Sequence, residues 1–549
     1  MDFLYLVDYF EKIFNTSKRL EKTELISKLL KETKNEDLKQ VILLLQGLVF
    51  PVWDPRIIGV ANQIVIKAVS IASGYSIKEV NDFWRKTGDL GETTLKLISN
   101  KKQATLFSKK LTLDKVSLNL QKIAELEGNG TVDRKIKLIA ELITSASPDE
   151  AKYITRILLG VMRMGIGEGT LRDSIAKAYD KNSDEIQNAY NLCNDFSKIA
   201  LNIDQINEIS LTIGTPIKMM LALKATSIED GFDRVGKPFM AEYKYDGFRI
   251  QAHKKGDVVK LFTRRLEEVT KQFPEVCEYV KEIEGDFLIE GEAVGFNPET
   301  KEYLPFQYVS QRIKRKYDIK ETAKKMPVEF NVFEILYYNQ ENYFKKPFVE
   351  RRELIEKIVK NKPFKIRVSE AITSENKEEI QKFFEKALAD NQEGIMIKKL
   401  DAEYKPGSRV GYMLKLKPQL DTLDLAIIGA EWGEGKRSEW LSSFDLAVID
   451  DGELLMIGKA GTGLKEKSEL GLSFEEVTKI LEPLIISSDG KRVKVKPEVI
   501  LQVKYQELQK SPTYNSGYAL RFPVIERIRT DRNIDDMTTL NDIKEIVKK

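Results

Sequence analysis

The sequence predicts a multidomain protein with an all-α first third, an α+β middle and a strand-rich C-terminal region sufficient for a small β-barrel. Three observations predict it. The chain has 549 residues, too many for one ordinary core and, at roughly 100 to 200 residues per domain, enough for about three. From Phe3 to about Ser210 apolar residues recur at helical spacing, as in Leu20, Leu25, Ile26, Leu29 and Leu30. After Pro216 the pattern changes to short β-rich runs separated by turns.

Composition narrows the function classes. Charged residues make up 32% of the chain, yet the net charge is only +3, so a polyanion-binding surface must come from local clustering. The two cysteines, Cys193 and Cys277, lack C-x-x-C spacing and His253 is the only histidine, which argues against a disulfide framework or a Cys/His metal site and for a reducing, intracellular setting. The most apolar stretches are broken by Pro51 and Lys67 and fall short of about 18 uninterrupted apolar residues, so no membrane span is predicted. The N-terminus does not read as a secretory signal.

In the helical third, Leu158 to Thr170 (LLGVMRMGIGEGT) closes one helix in glycines and opens another. Backbone amides at such a start, with Arg163 and Arg172 nearby, could hold a nucleic acid phosphate. Taken alone, the segment reads more simply as a glycine-rich turn between helices with ordinary surface arginines. Gln103 to Phe107 follows Lys101 and Lys102 and, on its own, reads as a loop or helix start.

In the middle region, strands are predicted over 239–245, 248–254, 258–263, 287–296, 328–338, 394–399 and 412–416, with helices over 349–360 and 377–390. Beyond Asp421 strands are expected over 424–430 and 499–505, with a hairpin over 444–457 turning at Asp450-Asp451-Gly452.

The stretch EYKYDGFRI, Glu242 to Ile250, lies at the centre of this pattern. Asp246-Gly247 is expected to turn a hairpin, leaving Lys244 at a strand end. A lysine attacks only as the neutral amine, so its surroundings must supply charge that favours that form. Downstream come Arg264 and Arg265, Glu290-Gly291-Glu292, Phe333, Glu393-Gly394, and Lys415 with Lys417. In a strand, Lys415 and Lys417 share a face, as do Glu290 and Glu292 if no bulge intervenes. Cations neutralise charge developing on phosphorus oxygens, and carboxylates suit Mg²⁺, so the set points to phosphoryl-type transfer. Taken singly, Phe333 reads as core, the lysines as a solvated face and the glutamates as surface charge. Their joint order is what those readings do not explain.

That ordered set resembles the ATP-dependent DNA ligases of the archaeal and eukaryotic replicative type, within the covalent nucleotidyltransferase superfamily. The motifs stand in family order as KYDGFR (Lys244 to Arg249), FTRR (Phe262 to Arg265), IEGEA (Ile289 to Ala293), VFEILYYN (Val332 to Asn339), EGIMIK (Glu393 to Lys398), LKLK (Leu414 to Lys417) and RFPVIERIRTDR (Arg521 to Arg532). The helical first third, including MRMGIGEGTLR (Met162 to Arg172), is similar to the family's DNA-binding domain. The resemblance implies a DNA-binding domain over 1–213, an adenylation domain over 214–420 and an OB-fold domain over 421–549, joined by mobile linkers near Ile213 to Pro216 and Pro418 to Asp421.

It also implies roles. Lys244 would take AMP from ATP as a phosphoramidate. Glu242 would hydrogen-bond adenine and Phe333 stack on it, while Arg249, Arg264 and Arg409 bind ribose and phosphate. Glu292 and Glu393 match the family's sugar-contacting and metal-linked carboxylates, both candidates for Mg²⁺, and Lys415 and Lys417 its α-phosphate lysines. Arg527, Arg529, Asp531 and Arg532 match the residues that orient the pyrophosphate leaving group. The implied partner is nicked duplex DNA, sealed between a 5′-phosphate and a 3′-hydroxyl in replication, repair and recombination by a cytoplasmic, DNA-associated monomer. Gln103, Leu106 and Phe107 resemble a sliding-clamp-binding sequence, although Leu106 stands where an aromatic is common. An RNA ligase or a capping guanylyltransferase would share Lys-x-Asp-Gly without needing the helical third, and a non-enzymatic scaffold would be expected to carry degenerate motifs. The NAD-using class needs a four-cysteine zinc site that two cysteines cannot build.

Overall fold

The helical periodicity of the first two hundred residues becomes a bundle of α-helices running from Phe3–Phe14 to Phe196–Leu201 in the computed structural model, which describes residues 1–548 except 103–109, 129, 314, 316, 419–421, 434–436 and 467–470. Two of the helix starts are closed by reciprocal capping boxes, Ser76 with Glu79 and Ser147 with Glu150, the latter with Pro148 at the first helical position. Ile26, Leu29 and Leu30 are buried in the bundle core, whereas Leu20, expected on the same face, is exposed in the first turn of its helix.

Contacts divide the chain into two compact units, 1–417 and 418–549. In order, the strands are β1 (Leu221–Lys224), β2 (Phe239–Lys244), β3 (Phe248–Lys255), β4 (Val258–Thr263), β5 (Phe287–Gly295), β6 (Val328–Tyr338), β7 (Glu341–Asn342), β8 (Ile366–Val368), β9 (Ala371–Ser374), β10 (Gly394–Lys398) and β11 (Arg409–Leu416) in the first unit. The second unit adds β12 (Thr422–Trp432), β13 (Leu441–Asp450), β14 (Glu453–Ala460), β15 (Ile485–Asp489), β16 (Arg492–Val495), β17 (Ile500–Lys504), β18 (Glu507–Lys510), β19 (Tyr518–Arg521) and β20 (Val524–Ile528).

The first-unit strands form two sheets, one ordered β1-β11-β10-β2-β9 and the other β4-β3-β5-β6-β7 with β8 beside β6. The hairpin expected at Asp246-Gly247 is therefore not one. β2 pairs with β9 and β10, β3 with β4 and β5, and the turn carries the chain from one sheet to the other. Gly247 is required there, because a Cβ would come within 2.4 Å of the Ala293 carbonyl oxygen. Helices Phe348–Ile358 and Lys377–Ala389 interrupt the strands. The segment from Gly214 to Lys218 is fastened on both sides. Gly214 N–H donates to His253 Nδ1 at 3.0 Å and Ile217 N–H to Gln251 Oε1 at 2.9 Å, while Asn194 Nδ2 donates to the Pro216 carbonyl at 2.7 Å.

In the second unit β13 and β14 form the expected hairpin, with Asp451 and Gly452 both at positive φ in its turn. The small β-barrel does not close among the described residues. The first half of β12 pairs with β17 and its second half with β16, so the sheet branches and stays open, with no pairing between its outer strands β14, β15 and β20. Among the described residues no helix is long and apolar enough to cross a membrane.

Candidate active site

Lys244 ends β2 opposite Gly394 of β10. Its carbonyl accepts the Glu393 N–H at 2.9 Å, and its ammonium forms an ion pair with the Glu393 carboxylate. Lys417 Nζ lies 2.7 Å from the same Glu393 oxygen. Gly394 permits this meeting: its φ is +134°, and a Cβ would stand 2.3 Å from the Leu416 carbonyl oxygen. Burial opposes ionisation of Glu393, but the Lys244 and Lys417 charges overcome it and hold the carboxyl below the usual carboxylate range.

The strand-end lysines share one electropositive region. Burial, followed by the Lys244 charge, lowers the pKa of both Lys415 and Lys417, and on Lys415 the charges of Arg264 and Arg409 act in the same direction. Arg264 and Arg409 are themselves exposed, at the end of β4 and the start of β11; Arg265, beside Arg264, is exposed as well.

On β5, Glu290 and Glu292 face β3 opposite Gln251 and Arg249. Arg249 donates to the Met220 carbonyl at 2.9 Å and pairs with the fully buried Glu290, whose two oxygens each accept from Tyr404 Oη at 3.0 Å. Glu290 is thus committed to holding Arg249. Burial pushes Glu292 up to about 7 against the pull of Lys244 and Arg249, with Glu393 and Asp246 adding to the rise. Among the described residues no group of three or more His, Cys, Asp or Glu forms a metal cage. Mg²⁺ does not require one, since it binds through one or two carboxylates together with waters and phosphates.

Phe333 is displayed by a bulge. Glu334 pairs with Glu290 and Val332 with Gly291, which leaves Phe333 without an opposite residue, the one half-exposed position among the buried ones of 328–336. Two cations approach its ring, the Arg249 guanidinium at 5.2 Å and Lys398 Nζ at 5.0 Å from its centroid. Glu242, inside β2, is buried, with Arg352 NH1 at 2.9 Å and Lys398 Nζ at 2.5 Å from its carboxylate oxygens. Sequence reasoning assigned no role to Arg352, Tyr404 or Lys398. The first two carry no motif, although Lys398 closes EGIMIK.

The final motif belongs to the second unit. Arg527 Nε donates to Gln502 at 2.8 Å. Arg529 is gripped by Asp531, with Nε 2.8 Å from Oδ1 and NH2 2.7 Å from Oδ2. Arg532 NH1 donates to the Asp536 carbonyl at 2.7 Å. In the helical region Gly167 precedes the helix Glu168–Tyr179 as its N-cap. Arg163 donates to the Gly88 carbonyl at 3.1 Å and Arg172 Nε to Asp173 at 2.8 Å. Gln103, Leu106 and Phe107 lie outside the described residues.

The site thus holds an amine, cations suited to phosphate oxygens, two carboxylates and a half-exposed aromatic ring. This arrangement suits nucleophilic attack on a nucleotide phosphate. Three family models match the chain: DNA ligase N terminus at residues 2–176, ATP dependent DNA ligase domain at 219–417, and ATP dependent DNA ligase C terminal region at 437–532. The chain is 45% identical over 557 aligned positions to the DNA ligase of Nanoarchaeum equitans (strain Kin4-M), covering 100% of this chain and 98% of that protein. It is 41% identical over 555 positions to the DNA ligase of Thermococcus onnurineus (strain NA1), with the same coverage of 100% and 98%. Among solved structures, Pmar-Lig_PreS3 shares the fold with a TM-score of 0.58 at 15% identity, covering 95% of this chain and 99% of that one.

Proposed function

The chain belongs to the ATP-dependent DNA ligase family, and from that premise we propose that Lys244 is the nucleophile of its first step. The protein is an enzyme that seals nicks in DNA by forming phosphodiester bonds at the expense of ATP, an activity general to replication and repair. The observation that carries the assignment is the ion-pair chain Lys244–Glu393–Lys417, set among the charges of Lys415, Arg264 and Arg409.

In the proposed sequence the Lys244 nitrogen forms a bond to the α-phosphorus of ATP, the bond to the β-phosphate oxygen breaks, pyrophosphate leaves and the amine gives up its proton. The AMP then passes to an oxygen of the 5′-phosphate at a nick, breaking the P–N bond. Finally the 3′-hydroxyl gives up its proton and its oxygen bonds to the phosphorus of the 5′-phosphate, while the bond from that phosphorus to the AMP oxygen breaks and AMP leaves. Lys415, Lys417, Arg264 and Arg409 neutralise the phosphate oxygens, Phe333 stacks on adenine, and Arg249, held by Glu290 and Tyr404, meets the sugar and phosphate. Glu242, fixed by Arg352 and Lys398, stands at the adenine end. Arg527, Arg529, Asp531 and Arg532 orient pyrophosphate. Glu292 and Glu393 are the oxygen donors for Mg²⁺, which when bound would neutralise developing phosphate charge.

The division into 1–213, 214–420 and 421–549, with an OB-type fold for the last, belongs to the same reading, as do a monomeric, cytoplasmic, DNA-associated state and contact with a sliding clamp through Gln103, Leu106 and Phe107. Incubation with labelled ATP or GTP tests the core assignment. Label is expected on the protein from ATP only, and none on Lys244→Ala. A normally labelled Lys244→Ala protein overturns it.

A further inference from the structure

In the second unit β12 and β20 flank β17, with Asp424 opposite Gln502 and Gln502 opposite Arg527. From β12 the Asp424 side chain reaches past β17 to the segment that follows β20. Its Oδ2 accepts from Arg529 NH1 at 2.8 Å and lies 3.3 Å from Arg532 Nε. The backbone beneath it is pinned: Asp424 N–H donates to Thr538 Oγ1 at 3.0 Å, and its carbonyl accepts the Thr538 N–H at 2.9 Å. One carboxylate therefore joins two arginines of the final motif.

Arg529 has a second acidic partner in Asp531, and the two partners differ in kind. The Asp424 side chain is 12% exposed and that of Asp531 62%. An exposed ion pair contributes little and exchanges readily with solvent or another anion, whereas a largely buried carboxylate holds its guanidinium because losing it leaves an uncompensated charge. Asp424 is the fixed anchor of this cluster and Asp531 its exposed partner.

We propose that Asp424 is a positioning residue for the first step, holding Arg529 and Arg532 side by side so that together they meet a pyrophosphate oxygen. The proposal rests on the assignment of these arginines to leaving-group orientation. Asp424 contributes geometry alone and makes or breaks no bond.

The test uses full-length Asp424→Asn, Arg529→Ala and the double variant. Labelled AMP transfer to Lys244 across a range of ATP concentrations is compared, on the same preparation, with sealing of a pre-adenylated nick. Because unfolded molecules depress both activities equally, their ratio reads positioning even if Asp424→Asn folds poorly. Asp424→Asn is expected to slow adenylation about tenfold at saturating ATP while pre-adenylated sealing stays within about twofold, and the double variant to be no slower than Arg529→Ala. Equal losses in both steps make Asp424 merely structural and overturn the proposal. Normal adenylation by Asp424→Asn beside a slowed Arg529→Ala overturns the proposal and leaves the arginine assignment standing, whereas normal adenylation by Arg529→Ala overturns both.

Discussion

Lys417 Nζ stands 2.7 Å from Glu393 Oε2, the same oxygen that pairs with Lys244. Replacing that carboxylate by an amide leaves two ammonium groups facing each other in a half-buried site. Glu393→Gln is predicted to cost about 1–3 kcal/mol, less than the roughly 3–5 of a fully buried pair because both lysine side chains keep partial contact with water. It should also slow self-adenylation by at least about tenfold. Urea unfolding and AMP labelling check the two effects, and an unchanged midpoint contradicts the pairing.

Glu242 is the more deeply buried case. Its side chain is 2% exposed, and its partners Arg352 and Lys398 are 8% and 7% exposed. Removing the carboxylate leaves Lys398 without an acidic partner in the interior and Arg352 with Glu356 alone, so Glu242→Ala is predicted to destabilise the first unit by about 3–5 kcal/mol. Urea unfolding followed by a probe in residues 1–417 reads this, and a loss below about 1 kcal/mol would mean that water reaches Arg352 and Lys398.

Glu292 links activity to pH. Burial raises its pKa to about 7, so the folded protein protonates it as pH falls through neutrality, and in its proposed role as a Mg²⁺ donor it would then give up the metal. Self-adenylation should therefore rise with pH through about 7, and the rise should move to lower pH as magnesium increases, because metal and proton compete for one carboxylate. Chelation should stop labelling. A magnesium-independent profile argues against Glu292 as a donor.

Much of this site is legible in the sequence, because its chemistry is local to short motifs. Lys244, Glu393, Lys415 and Lys417 each sit in a run whose neighbours fix the strand that displays them, and the structure brings them together. What is not legible depends on pairing across long separations. Turn chemistry at Asp246-Gly247 is readable, but nothing local says that β2 takes β9 and β10 as partners while β3 takes β4 and β5. The bulge that turns Phe333 outward exists only in the β5–β6 register. Arg352 is separated from Glu242 by 110 residues and belongs to no motif. Closure of the last sheet depends on how β12 divides its length between β16 and β17, which no strand-forming pattern records.

His253, the only histidine, supplies a pH test of the fold itself. A backbone N–H can only donate, so Nδ1 accepts from Gly214 at 3.0 Å, and Nε2–H then donates to Gln251 Oε1 at 2.9 Å. Burial, and secondarily the Lys260 charge, push its pKa down to about 3. The unfolded chain takes up this proton near the ordinary value of about 6.5, while the folded protein refuses it. Stability from this group is therefore complete above about pH 6.5 and is lost as pH falls toward 3, amounting to about 2 kcal/mol between pH 7.5 and 5. Glu292, whose pKa is raised, titrates with the opposite sign in the same range, so the decisive quantity is the difference between wild type and His253→Asn, in which Glu292 cancels. At pH 7.5 the variant should be the less stable, since it disturbs the hydrogen bonds to Gly214 and Gln251, and the gap should narrow by about 2 kcal/mol at pH 5 as wild type alone bears the proton penalty. Urea midpoints at the two pH values measure it. A gap that stays constant means that the folded protein admits the proton, and that the tie between His253 and Gly214 does not depend on a neutral ring.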